Sequence, residues 1–235
     1  MRLSLLYIAV LAGSAGAADW KADRFPDWPQ ETVHRVLTDS PWTRPKTVKL
    51  EWRSREDRPF DYREIPGAEN NRRSTGGSPV GGIGVKRQTG LLDRADILIR
   101  WVGALPVRQA TALYKQRNEK LAPEKLNELI APPETDYVLE LFGVPAELAH
   151  RGAGMIEALV KDSAYLRLRS GRTLKPSRVA ATVHALTMTV RIHFPRTAPI
   201  DVKDQEVECF ADLQVFSIKE KFKLAPMVYL GHIEL

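Results

Sequence analysis

The chain has 235 residues, 43% of them hydrophobic and 27% charged, with a formal net charge of +6. That length supports one substantial core or two small ones, and so mild a charge singles out no partner by itself. The single cysteine, Cys209, excludes an intramolecular disulfide, and beyond the N-terminus no stretch approaches the roughly 18 continuous apolar residues of a spanning helix.

The N-terminus carries the clearest signal. Arg2 supplies a positive start, Leu3–Gly13 reads LSLLYIAVLAG, and Ala15-Gly16-Ala17 offers the small residues that a signal peptidase reads. The apolar run is too short to span a bilayer, so residues 1–17 read as a secretory signal peptide cleaved before Ala18. The mature protein is expected to be secreted or periplasmic, without a transmembrane segment. No cysteine near the cleavage site offers a lipid anchor.

Residues 18–160 read as a mixed α/β part. In DWPQETVHRVLTDSPW, Asp27 stands where a cap belongs and Pro29 near the first turn. Val33, Val36 and Leu37 then form a helical stripe, flanked by Trp28 and Trp42. TVKLEW (47–52) alternates as a half-buried strand. From 53 to 93 charges of both signs mix with Pro, Asn, Ser and Gly, a composition that buries too little surface to offset its ordering entropy. A flexible loop is expected there. Its glycine-rich core, STGGSPVGGIG at 74–84, matches neither phosphate-binding pattern: Lys86 follows Val85, and Arg87 stands where the third glycine of G-x-G-x-x-G belongs.

Order resumes at ADILIRW, a strand apolar on nearly both faces and therefore central. Pro106 opens a helix with Val107, Ala110, Leu113 and Tyr114 on one side. Pro123 opens a second helix that ends before Pro132, and DYVLELFGVP (136–145) is a strand. GAGMIEALVKDS reads as a helix burying Met155, Ile156, Leu159 and Val160.

Residues 161–235 read as a β-rich part, short enough to share one core with the first. AYLRLRSGRTL turns at Ser170-Gly171, with Arg167 and Arg169 on one strand face. RVAATV and LTMTVRIHF pair as a hairpin, with Leu186, Met188, Val190, Ile192 and Phe194 inward. EVECFAD places Val207, Cys209 and Ala211 on one face. DLQVFSIKEKFKL sets Phe216, Ile218, Phe222 and Leu224 against Val215 and the lysines, and MVYLGHIEL closes the chain as a last strand. The expected fold is α+β: a mixed, largely antiparallel sheet, several short helices and a β-rich C-terminal part.

Chemistry is sparse. The five histidines lack metal-ligand spacing, no serine stands in G-x-S-x-G, and nothing points to a metal or cofactor. Cys209 reads as a small hydrophobe in a strand core. Glu140, inside YVLELFG, is either a solvated residue of an edge strand or a buried general acid. Arg167, Arg169, Arg172 and Lys175, with only Asp162 as a nearby acid, form a candidate binding patch. Its partners would be anionic: a cell-envelope polymer, a lipid head group or another envelope protein. Nucleic acid fits poorly without interleaved aromatics. A plain solvated strand face is the competing account, and Lys219, Lys221 and Lys223 read as guards of an edge strand. The functional expectation is a non-enzymatic binding or structural module. The alternative is a secreted hydrolase or transferase assembled only in three dimensions, with the 53–93 loop over Glu140.

DSPW (39–42), ALPVRQA (104–110), FPRTAPI (194–200) and the ending KFKLAPMVYLGHIEL together resemble a family of uncharacterised secreted bacterial proteins. The resemblance implies a signal peptide and an α+β body, and assigns no catalytic residue. Expressed with its leader in a bacterium, the chain should be recovered outside the cytoplasm starting at Ala18. Intact-mass measurement of the fractionated protein checks this, and a mass retaining residues 1–17 would contradict it.

Overall fold

The computed structural model describes residues 25–52, 93–119, 122–131, 135–197 and 199–235. The expected leader at 1–17 and all but Asp93 of the expected loop at 53–93 lie outside the described residues. Four α-helices are described: α1 (Gln30–Thr38), α2 (Leu105–Glu119), α3 (Pro123–Ile130) and α4 (Ala153–Ser163). Strands β1 (Thr43–Lys49), β2 (Arg94–Trp101) and β3 (Asp136–Pro145) come from the N-terminal part. The C-terminal part supplies β4 (Tyr165–Leu168), β5 (Thr173–Leu174), β6 (Arg178–Val183) and β7 (Thr187–Pro195). It continues with β8 (Glu206–Asp212), β9 (Ser217–Lys223), β10 (Val228–Tyr229) and β11 (His232–Ile233).

The strands form a five-stranded sheet in the order β1-β2-β3-β7-β6, a four-stranded sheet β5-β4-β8-β9, and the small hairpin β10-β11. Every named pairing is antiparallel, so the fold is α+β. Strand alternation gives each large sheet one apolar face. On the first, Ile97, Ile99, Trp101, Leu139, Leu141, Val190, Ile192 and Phe194 are buried; on the second, Leu166, Val207, Cys209, Ile218 and Phe222. These faces meet where Trp101 touches Phe222 edge-on, with centroids 5.6 Å apart. One continuous apolar cluster runs from Trp28 to Leu235 and draws on both parts of the chain.

Three devices close the sides. Lys46 of β1 donates to the Lys219 carbonyl at 2.6 Å and to Glu220 at 3.2 Å, stitching two sheet edges. Helix α4 joins the sheets on another side: Glu157 accepts from the Ala181 amide of β6, and Ser163 exchanges hydrogen bonds with the backbone of Asp212. At one end Glu234 accepts from the Leu105 amide at the start of α2, and its carbonyl accepts from the Trp42 ring N–H, both at 2.8 Å. The Arg108 guanidinium donates to the Ile130 and Ala131 carbonyls, satisfying acceptors left over at the end of α3.

Several local expectations are corrected. Pro29 and not Asp27 is the N-cap of α1, and it makes no side-chain capping bond. β1 starts at Thr43 and passes through Pro45, which an edge strand tolerates because its missing N–H would face solvent. β2 lies second in its sheet, and the central strand is β3. Tyr114, Met155 and Leu186 stand exposed, Leu186 because β7 begins one residue later. Thr189 and His193, on the other face of β7, are nevertheless buried. Val215 is buried as well, in the loop of the β8-β9 hairpin and not on the outer face of β9. The expected last strand is a hairpin, because Leu230 and Gly231 take φ values of 49° and 82°, the backbone of a tight two-residue turn.

Truncating the ring at the sheet interface tests this architecture. Phe222→Ala should lower unfolding free energy by about 3–5 kcal/mol, read by urea denaturation, whereas a loss below about 1 kcal/mol would mean that the two faces do not share a core.

Candidate functional site

The outward face of the four-stranded sheet is built by register. Arg167, Glu208 and Lys221 stand opposite one another across β4, β8 and β9; Tyr165, Phe210 and Lys219 form the next row. Glu206 faces Lys223, with Arg169 in the turn beyond β4. The central strand carries the acids and its two neighbours carry the cations.

Glu208 and Glu206 are both claimed by that arrangement. Glu208 is buried, accepts from Arg167 and lies 3.7 Å from Lys219. Glu206 accepts from Lys221 at 2.9 Å. That hydrogen bond, helped by the charges of Lys221, Arg169 and Lys223, holds the Glu206 carboxyl below its usual range. The same bond raises the Lys221 ammonium. A carboxylate pulled down by three cations marks a positive local field.

The four expected patch residues are held in different ways. Arg167 projects from β4, whereas Arg169 belongs to the turn and donates to the Gln205 side chain. Arg172 donates to the Pro199 carbonyl at 3.0 Å and approaches Asp204 at 3.9 Å. Lys175 donates to the Asp162 carbonyl and sits 5.9 Å above the Tyr165 ring. The structure also brings Lys219, Lys221 and Lys223, expected only as edge guards, onto the face that holds Arg167.

Sequence reasoning missed an aromatic pair on this face. Tyr165 and Phe210 stack at 5.1 Å with their planes 15° apart, and Arg167 covers Tyr165 at 5.4 Å. The available signal was Phe210 itself, an aromatic between Glu208 and Asp212 on the polar side of its strand. Phe210 also lines an open cleft of about 350 Å³ between residues 46–51 and the β8-β9 hairpin, beside Lys49, Glu51, Asp212, Phe216 and Ser217. Asp212 spends one oxygen on the Gln214 amide. Among the described residues, none hydrogen-bonds the side chains of Lys49, Glu51 or Ser217.

Glu140 is not the solvated edge-strand residue that was one of its two expectations. β3 is no edge strand, and Glu140 is buried at its middle. Arg100 and Arg191 flank it in register; Arg100 donates to one oxygen at 2.6 and 3.2 Å, and Arg191 to the other at 2.9 Å. It does not line the cleft. His184 is hydrogen-bonded to Thr189, and His193 lies 3.2 Å from the Arg178 guanidinium. Among the described residues no group of three His, Cys, Asp or Glu side chains is placed to hold a metal ion.

Cys209 packs inside the sheet, and burial pushes its thiol up to about 12 from an ordinary 9.0. No family model, curated protein or solved structure matches the chain. Unfolded chains ionise this thiol near pH 9 while folded ones hold it neutral to about 12, so stability is full below 9 and falls as pH rises between those values. Each unit costs about 1.4 kcal/mol. Between pH 8 and 10.5 the wild type should therefore lose about 2 kcal/mol more than Cys209→Ala in paired urea denaturation; equal losses would contradict the assignment.

Proposed function

We propose that this chain is a secreted or periplasmic binding module whose four-stranded sheet holds anionic envelope material against its outward face. The carrying observation is the row arrangement: β4 and β9 place Arg167, Lys219, Lys221 and Lys223 on both sides of β8, and the turn adds Arg169. Of the three acids on β8, Glu206 and Glu208 stand among these cations and neutralise only part of their charge; they also hold Arg167, Lys219 and Lys221 in place. Preorganised cations lose less side-chain entropy on meeting an anion than free ones do. The partners that fit are an acidic polymer, anionic lipid head groups or an acidic patch on another envelope protein.

The competing reading, a hydrolase or transferase built around Glu140, draws less support. Both carboxylate oxygens of Glu140 already accept from arginine, and the cleft lies elsewhere. A general acid needs a free position within reach of a substrate.

The test replaces Arg169, Lys175, Lys221 and Lys223 by glutamine, leaving Arg167 and Lys219 to hold buried Glu208. A control variant of equal net charge replaces Arg35, Arg94, Lys115 and Lys125. On a carboxymethyl polysaccharide gel at low ionic strength the first variant should bind on the order of tenfold more weakly than wild type, and the difference should shrink with added salt. The control should stay near wild type. Equal retention of both variants would remove the proposal.

A further inference from the structure

We infer that the ligand of this face is an acidic polysaccharide, a chain of sugar rings bearing carboxylates, one ring of which enters the cleft and lies against Phe210. The inference rests on the binding role proposed above and names its ligand class.

Three observations carry it. The first is the wall. Phe210 lines the cleft and is braced by Tyr165 stacked on it at 5.1 Å, so an aromatic surface stands fixed where a ligand enters. The C–H face of a sugar ring packs on such a surface with little ordering cost.

The second is the mixture of unclaimed polar groups around it. Lys49, Glu51 and Ser217 have no partner among the described residues, and Asp212 has spent one oxygen. Sugar hydroxyls both donate and accept, so they satisfy Glu51 and Asp212 as well as Lys49 and Ser217. A polyphosphate chain only accepts, and would bring its charge against two carboxylates. The sugar carboxylates have Lys49 at the cleft and the cation rows of β4 and β9 outside it.

The third is shape. About 350 Å³ is at the small end for ligand clefts. Phe210 lines the cleft and also stands in register with Lys219 on the basic face, so a polymer anchored by one segment continues over the cations. A lipid surface is disfavoured because none of the exposed large apolar side chains lies on β4, β8 or β9, leaving nothing to insert. Single-stranded nucleic acid is disfavoured because stacking occurs at one place, with carboxylates beside it.

Calorimetry on the mature chain separates these cases, using a galacturonate octamer, polyphosphate of equal charge, oligothymidylate and phosphatidylglycerol vesicles. Expected is tightest binding of the galacturonate octamer. Phe210→Leu, which keeps bulk but removes the ring, should weaken it up to about tenfold at both low and moderate salt. Glu51→Gln should weaken the octamer and strengthen polyphosphate, with thermal melts of both variants confirming the fold. Polyphosphate binding as tight as the octamer, with neither substitution mattering, would overturn the sugar assignment while leaving an anion-binding face. Preference for vesicles or oligothymidylate would overturn it in favour of those partners. Failure of all four probes would defeat the binding role as well.

Discussion

The packing of Trp101 onto Phe222 is the constraint from which the rest of the molecule follows. Each large sheet has one apolar face, and neither could be left to water at a cost of roughly 25 cal/mol per Å². Once these faces close on each other, the orientation of every strand residue is decided by alternation. Glu206, Glu208 and Phe210 must point outward because Val207, Cys209 and Ala211 point inward. The proposed binding face is thus the reverse side of the core.

The same logic makes the buried carboxylate of β3 intelligible. Glu140 lies on the non-core face of the central strand, flanked in register by Arg100 and Arg191. A buried charge is tolerated when each oxygen has a cationic donor. The cluster ties three adjacent strands by side chains as well as by backbone. A one-residue slip of β2 or β7 would send its arginine to the opposite face, so the cluster also specifies register.

Periodic local features were legible in the sequence. The stripe Val33, Val36 and Leu37, the limits of β3 at Asp136 and Pro145, helix α3 between Pro123 and Pro132, and the β6-β7 hairpin all follow from nearest-neighbour chemistry. Which face a marginal residue takes was not legible, because Tyr114 and Met155 sit at the borders of their apolar stripes. Strand order was hidden too. Glu140 looks like an edge residue until β7 is known to pair with β3, some fifty positions away. The site was half visible for the same reason: Arg167 and Lys221 are each obvious cations, but only β8, inserted between their strands, puts them on one surface. The Tyr165–Phe210 pair needs that same long-range register.

The bonds from Glu234 to Leu105 and Trp42 set the order in which the molecule can assemble. Trp42 is made early, yet its ring N–H finds its acceptor 192 positions later. Helix α2 likewise begins without the carboxylate that receives its first amide. Until the β10-β11 hairpin is in place, these two donors at the far end of the fold lack their native acceptors, so closure of that end waits on long-range contacts rather than on local ones.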